Sequence, residues 1–250
     1  MQKPIIFTHR APFIRANDHV CLYGLPIFCG SLDTCRKKLR DALAEKRDTP
    51  YLVFTPNLEM LSGAKHSPAL HTLLGEADLL LPDGIGVQLL SRFRVKKRIA
   101  GIDAGEFLLT LAEENGYRVY LLGGKHRVAK AAADRLTERF PALSIVGVHH
   151  GYFKETEESS VIDKIRAAAP DFLFVCMGFP RQEEFLVRNH NVLPSVRMAL
   201  GLGGALDVWS GNIRRAPLWM QKCGLEWLYR LLKQPSRLPR LLRSIRDTIR

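Results

Sequence analysis

Four segments of the chain place small, polar or charged residues directly after apolar runs: Thr55-Pro56-Asn57, Pro82-Asp83-Gly84-Ile85-Gly86, Gly123-Gly124-Lys125 and Gly178-Phe179-Pro180-Arg181-Gln182-Glu183. Asp83 is a lone carboxylate between an apolar run and two glycines. A general base can act from such a position; the competing reading is a Pro-Asp-Gly turn whose Asp caps its own backbone. Gly123 and Gly124 precede a helix start, where backbone N–H groups and the helix dipole can meet a phosphate, although a Gly pair after a strand is often only a tight turn. Arg98, in Lys97-Arg98-Ile99-Ala100-Gly101-Ile102-Asp103, reads as a clamp on an anion or as a solvated charge. Gln182 and Glu183 read as ligand-facing or simply as a helix start, where an acid is favourable.

Other patterns narrow the chemistry. His149-His150 resembles a metal pair, but adjacent residues on a strand point to opposite faces, and no Cys/His cluster supports zinc. The chain has no Asp-x-Asp triplet of the kind that holds a nucleotide's divalent ion, so no metal and no cofactor is expected. Gly201-Leu202-Gly203-Gly204 lacks the third glycine of a dinucleotide fingerprint. Trp219 and Trp227 read as packing residues, with interfacial anchoring as the alternative.

The elements that must position these loops follow from periodicity. Short apolar runs at Val20–Tyr23, Tyr51–Thr55, Leu79–Leu81, Arg118–Leu122, Ser144–Val148, Phe172–Met177 and Arg197–Leu202 read as strands, several of them continuous as in strands covered on both faces. Between them, Ser31 caps a helix with apolar Leu32, Cys35, Leu39 and Leu43. Further helical stretches run over 103–115, 126–139, 157–168 and 181–189. Such alternation predicts an α/β fold with a mostly parallel sheet and helices on both faces, whose ligands bind at the carboxyl ends of the strands.

The 250-residue chain, of formal net charge +12, changes character after residue 210. Residues 211–250 hold ten basic and two acidic residues, so eight of the twelve net charges lie there. Leu238, Leu241, Leu242, Ile245 and Ile249 fall on one helical face among Arg237, Arg240, Arg243, Arg246 and Arg250. This is a basic amphipathic helix, suited to an anionic membrane surface or else an ordinary docked surface helix. The division expected is an α/β core over 1–210 and a helical appendage over 211–250. Five cysteines without a CxxC pair fit reduced thiols in the cytosol. The start, MQKPIIFTHRAPFIR, has no signal-peptide pattern, and no window is long and apolar enough to span a bilayer. A cytoplasmic protein, peripheral on the inner face of the membrane, is expected.

Eight ordered segments, TPNLEML, LLLPDGIGV, RIAGID, VYLLGG, VGVHHGYF, PDFLFVCMGFPRQE, GLGGALDVWSGNIRRAP and GLEWLYRLLKQPSRLPR, resemble the WecG/TagA/CpsF glycosyltransferase family over about residues 20–240. The resemblance implies a Rossmann-like core with a membrane-meeting helical appendage. It also implies inverting, metal-free transfer of an N-acetylmannosamine-type sugar, or a uronic acid or hexose relative, from a UDP-sugar donor to an undecaprenyl-diphosphate-linked sugar acceptor. Asp83 falls on the family's proposed base. Thr55 and Asn57 match its T-x-N segment, Arg98 the arginine before the A-G-x-D turn, and Gln182 the glutamine of P-x-Q-E. Tyr152 and Asp207 match positions that contact the nucleotide's base and ribose, and Arg230, Arg237 and Arg240 match arginines thought to reach the acceptor diphosphate. Two departures, Arg181 where the family commonly has Lys and Ala104-Gly105 after Asp103, leave the donor sugar open. Two other classes compete: a nucleic-acid-binding protein acting through the arginine-rich end, and a soluble nucleotide-sugar hydrolase or epimerase. The leucine stripe and the few aromatics argue against nucleic acid. A homo-oligomer is compatible with the sequence.

Overall fold

A computed structural model describes residues 18–233, 235 and 238–249. The signal-peptide reading of the first residues and the assignment of Arg237 lie outside the described residues, as do the side chains of Arg230, Arg240, Leu241, Ile245 and Ile249.

Eight strands form one sheet: β1 (His19–Leu22), β2 (Leu25–Phe28), β3 (Tyr51–Phe54), β4 (Leu79–Leu80), β5 (Arg118–Gly123), β6 (Ser144–His149), β7 (Phe172–Cys176) and β8 (Met198–Gly201). Their order is β1-β2-β4-β3-β8-β7-β5-β6. All neighbours are parallel except β1 and β2. The expected mostly parallel sheet is therefore present, with one addition. β2, not expected from the sequence, pairs back on β1 through a turn at Tyr23 (φ 51°) and Gly24 (φ 82°). Positive φ at both central residues is what a two-residue hairpin turn requires.

The continuous apolar runs are explained by two cores, one on each face. Val53, Val119, Leu121, Phe172, Phe174, Met198 and Leu200 point into one; Leu52, Phe54, Tyr120, Leu122, Leu173, Val175 and Ala199 point into the other. The first is covered by α1 (Leu32–Ala44), α5 (Gly101–Asn115), α6 (Val128–Arg139) and α9 (Ala205–Trp209). The second is covered by α2 (Leu58–His66), α3 (Pro68–Gly75), α4 (Ile85–Leu90), α7 (Glu158–Ala168) and α8 (Arg181–Asn189). Ser31 caps α1 as expected, accepting from Thr34 N–H.

The last segment forms α10 (Leu218–Lys222), α11 (Glu226–Lys233) and α12 (Leu238–Ile249). α12 lies against α2, where Lys65 Nζ donates to the Asp247 carbonyl at 3.3 Å and His66 Nε2 lies 2.9 Å from it. A lysine at a helix C-terminus meets its orphan carbonyls and its dipole. The appendage is thus docked, yet Leu218 (73 % exposed) and Trp219 (61 %) face solvent, as do Trp227, Leu232, Leu238 and Leu242. Trp219 is mostly exposed, against the packing reading, whereas Trp227 is more than half covered and so partly packed. No helix among the described residues is long and apolar enough to cross a membrane.

Candidate active site

Because β2 to β8 run parallel, their carboxyl ends share one edge, where all four segments singled out in the sequence emerge. Three of the predicted residues are knitted together there. Thr55 follows β3, is buried, and donates from Oγ1 to the Gly201 carbonyl of β8 at 3.1 Å. Asp83 follows β4; its N–H donates to the Pro56 carbonyl at 3.0 Å, so the Asp83 turn and the Thr55 loop move as one piece. Gln182 begins α8 almost wholly buried. Its Oε1 accepts from Gly203 N–H at 2.9 Å and from Gly178 N–H at 3.2 Å, and its Nε2 donates to Glu183 Oε1 at 2.8 Å. Gln182 therefore ties the loop after β7 to the loop after β8. A Cβ on Gly201 would stand 2.9 Å from Gln182 Nε2, and one on Gly101 would stand 3.0 Å from Thr55 Oγ1. At both places a Cβ would press on these side chains, so glycine eases the close approach of the strand end and α5.

Asn57 is exposed and caps α2, its Oδ1 accepting from Met60 N–H at 3.0 Å. Asp83 is half-buried, and the following Gly84 opens α4 with φ 91°. Arg98 sits differently from a solvated clamp. Its two terminal nitrogens donate to Glu226 Oε2 at 2.7 Å and to the Gln221 carbonyl at 2.8 Å, both in the appendage. Glu226 also accepts from Arg215 Nε at 3.1 Å, and Arg215 Nη1 lies 2.6 Å from Asp103. Burial alone would raise the Glu226 carboxyl; Arg98 and Arg215 override it and hold it below the usual carboxylate range. This cluster, unforeseen in the sequence, fastens the appendage to the rim beside Asp83, one residue before Ile99 N–H meets the Pro82 carbonyl at 2.9 Å.

A second group stands at the ends of β5 and β6. Gly123 (φ 140°) is pressed so closely on Cys176 that a Cβ would lie 2.3 Å from its carbonyl oxygen, and Gly124 N–H donates to that oxygen at 3.1 Å. The Gly124 N–H thus belongs to the sheet edge; the pair acts first as a tight turn. Gly151 N–H closes on the Gly124 carbonyl at 2.9 Å and carries exposed Tyr152 beside this turn. The histidines depart from the alternation rule because His150 lies beyond the end of β6. His149 and His150 ring centroids are 4.6 Å apart, and His150 stacks on His126 at 4.9 Å. Burial, then His149 and His126, holds the His150 imidazole below its ordinary range. Asp207, in the first turn of α9, stands between the two groups, raising the thiol of buried Cys176 alongside the dominant effect of burial. Among the described residues no three His, Cys, Asp or Glu side chains converge as a cation site.

Residues 20–248 match the glycosyl transferase WecG/TagA/CpsF family. The chain belongs to this family. The match runs from β1 into α12. Among curated relatives, a protein of Bacillus spizizenii strain W23 named N-acetylglucosaminyldiphosphoundecaprenol N-acetyl-beta-D-mannosaminyltransferase is 39 % identical over 193 residues, 76 % of this chain and 74 % of the relative. The proteins of the same name from Bacillus subtilis strain 168 (37 % over 194 residues, 76 % and 75 % covered) and Staphylococcus aureus strain MW2 (34 % over 209 residues, 82 % and 81 % covered) are similar to it as well.

Glu183, read in the sequence as ligand-facing or as a helix start, follows Gln182 in the first turn of α8. It is 0 % exposed, and among the described residues its Oε2 has no hydrogen-bond partner. Burial pushes its carboxyl up to about 7 from the usual 4.5, with Gln182 opposing. Between those pH values the folded chain holds a proton that the unfolded chain has released, so stability falls as pH rises through this window. A shift of this size corresponds to roughly 3 kcal/mol. Glu183→Gln keeps the size and removes the charge. Urea unfolding at pH 5 and pH 8 should show a loss in the parent chain that the variant lacks. Parallel profiles for the two would mean that Glu183 ionises without cost.

Proposed function

We propose that this chain is an inverting glycosyltransferase that moves an N-acetylmannosamine-type sugar from a UDP-sugar to an undecaprenyl-diphosphate-linked sugar at the inner face of the cytoplasmic membrane. The observation that carries the reading is the convergence of Thr55, Asp83 and Gln182 at one strand edge, beside the docked appendage, in a chain whose relatives bear the mannosaminyltransferase name.

In this mechanism the acceptor hydroxyl attacks the anomeric carbon in line as the bond to UDP breaks on the opposite face, and Asp83 takes the hydroxyl proton. Thr55, Asn57 and Gln182 orient the two sugars, Gln182 by fixing both flanking loops. Tyr152, the Gly123-Gly124 turn and Asp207 receive the nucleotide. The leaving diphosphate is met by backbone N–H groups and arginines, with Arg230, Arg237 and Arg240 assigned to the acceptor's diphosphate and the anionic surface. No metal is assigned a role, because the chain has no Asp-x-Asp triplet.

The test is a turnover assay pairing a panel of UDP-sugars with a lipid-diphosphate-linked N-acetylglucosamine acceptor, with and without EDTA. Transfer from UDP-N-acetylmannosamine, insensitive to EDTA, is expected. Hydrolysis or epimerisation of the donor without transfer would overturn the reading. Inhibition by EDTA that magnesium reverses would overturn its metal-free step.

A further inference from the structure

We propose that residues 91–97 form a second membrane-contact element, a rigid basic knuckle that sets the Phe93 ring into an anionic lipid surface beside the appendage. The inference rests on the reading above that the acceptor is carried by a membrane lipid.

The knuckle follows α4 and is built for rigidity. Phe93 N–H donates to the Gln88 carbonyl at 2.8 Å and Arg94 N–H to the Ser91 carbonyl at 3.1 Å. Ser91 Oγ accepts from Val95 N–H at 3.1 Å, and Gln88 Nε2 donates to the Lys96 carbonyl at 2.9 Å. Val95 is fully buried and anchors the far side. This scaffold holds two successive non-glycine residues, Arg92 (φ 50°) and Phe93 (φ 58°), in the left-handed region. A bulky aromatic there is strained, and such strain persists only where the surroundings impose it. Its result is a Phe93 ring that is 59 % exposed, near a Leu89 that is 57 % exposed. Folding gains nothing from an aromatic turned to water in a conformation that Asn or Gly would adopt more easily.

Charge identifies what the ring meets. No acidic residue stands between Asp83 and Asp103, while Arg92, Arg94, Lys96, Lys97 and Arg98 do. All but Arg98 are exposed, and among the described residues none of those four is ion-paired. An exposed aromatic flanked in sequence by exposed cations matches the acyl-headgroup boundary of an anionic leaflet. A nucleic acid would make no use of the aliphatic Leu89.

The knuckle also adjoins the appendage. Its stem residue Arg98 bonds to Glu226 and Gln221, and a Cβ on Gly224 would meet the Ile85 side chain of α4 at 3.2 Å. The same stem leads to Gly101, which is seated on Thr55. A bilayer touched by the knuckle therefore lies at the rim from which a lipid-linked acceptor would reach Asp83.

Flotation of the full chain with phosphatidylcholine vesicles containing phosphatidylglycerol, and no acceptor, tests this. Phe93→Asn tolerates the left-handed backbone and should lower vesicle partitioning about tenfold, whereas Phe93→Trp should retain it. Replacing Arg92 and Arg94 together by Gln should lower it by about tenfold or more at low salt and much less at high salt. All three should keep the parent's turnover on a water-soluble acceptor analogue and none should melt below the parent; Phe93→Asn, relieved of the strained aromatic, should melt at or above it. Unchanged flotation of Phe93→Asn and of the double variant would overturn the proposal. So would a change of oligomeric state on sedimentation with flotation intact, which would make the knuckle a contact between copies. If the parent chain transfers no sugar to any lipid acceptor and the variants still lose vesicle binding, the function assigned above fails while the knuckle stands.

Discussion

Asp83→Asn is expected to lower turnover by about 10²–10⁴-fold, the usual contribution of a positioned general base, with the dissociation constant for UDP nearly unchanged. The separation follows from geometry. Asp83 sits on the turn after β4, fastened to the Thr55 loop by its own N–H; the nucleotide is assigned to the ends of β5 and β6, on the other side of β3, β8 and β7 in the sheet order. Asn keeps the size and the backbone bond to Pro56 but cannot accept a proton at neutral pH. The fold should therefore be untouched, which a thermal melt checks. Equilibrium binding of UDP, set beside single-turnover transfer, reads the two effects apart. Turnover within a few-fold of the parent would remove Asp83 from the role of base and return it to the turn-capping role that its Pro-Asp-Gly setting also allows.

The parts of this fold legible in the sequence are those whose burial is extreme. β3, β5, β7 and β8 read as strands because both faces are covered, so apart from exposed Arg118 at the start of β5 their residues are apolar. β2 was not legible: it is four residues long, contains Pro26, and meets β4 through the single register pair Ile27–Leu80. Its only local mark is the Tyr23-Gly24 turn. α2, α3 and α4 escaped because they are short; α2 and α4 also follow directly on loops that read as site segments, and α3 follows α2 after the single residue Ser67. The rings of His149 and His150 approach each other, against the alternation expected of them, for a related reason: the alternation of side chains applies within a strand, and the strand ends at His149.

Site residues divide in the same way. Asp83, Thr55 and Gln182 lie at strand ends, so the parallel-sheet rule pointed at them before any contact was known. What the rule cannot supply is which atoms the loops use to hold one another. Gln182 reads as a helix starter in sequence and proves to be a brace between two loops 21 residues apart. Glu226 offers no signal, because its partners Arg98 and Arg215 come from a segment 128 residues away and from one 11 residues away. The amphipathic pattern of the last helix was legible, but not that it would settle on α2.

That docking yields the second large effect. Glu226→Ala is expected to release the appendage and lower transfer to a membrane-embedded acceptor by about a hundredfold, the effect of removing one partner from a largely buried ion cluster at about 3 kcal/mol. Two guanidinium groups, Arg98 and Arg215, would be left facing each other without their shared carboxylate. Hydrogen exchange in α11 should rise, while the exchange of β3, β7 and β8 stays slow. Glu226→Asp should recover part of the activity. Because the folded carboxyl titrates below its usual range, the clasp is fully present above the unfolded pKa of about 4.5 and is lost as pH falls through the lower folded value; exchange in α11, corrected for the intrinsic rate and followed into acid until it rises, should show this. The paired replacement Arg98→Met with Glu226→Leu then separates two roles for Arg98. An apolar pair can replace a buried ion pair without loss of docking. Restored docking with restored transfer would make Arg98 a positioning residue, acting only through the appendage. Restored docking with transfer still depressed would mean that Arg98 leaves Glu226 to meet the donor's diphosphate during turnover. If Glu226→Ala transfers sugar as well as the parent, the clasp has no part in the reaction and the appendage must be held by the α12–α2 contact alone.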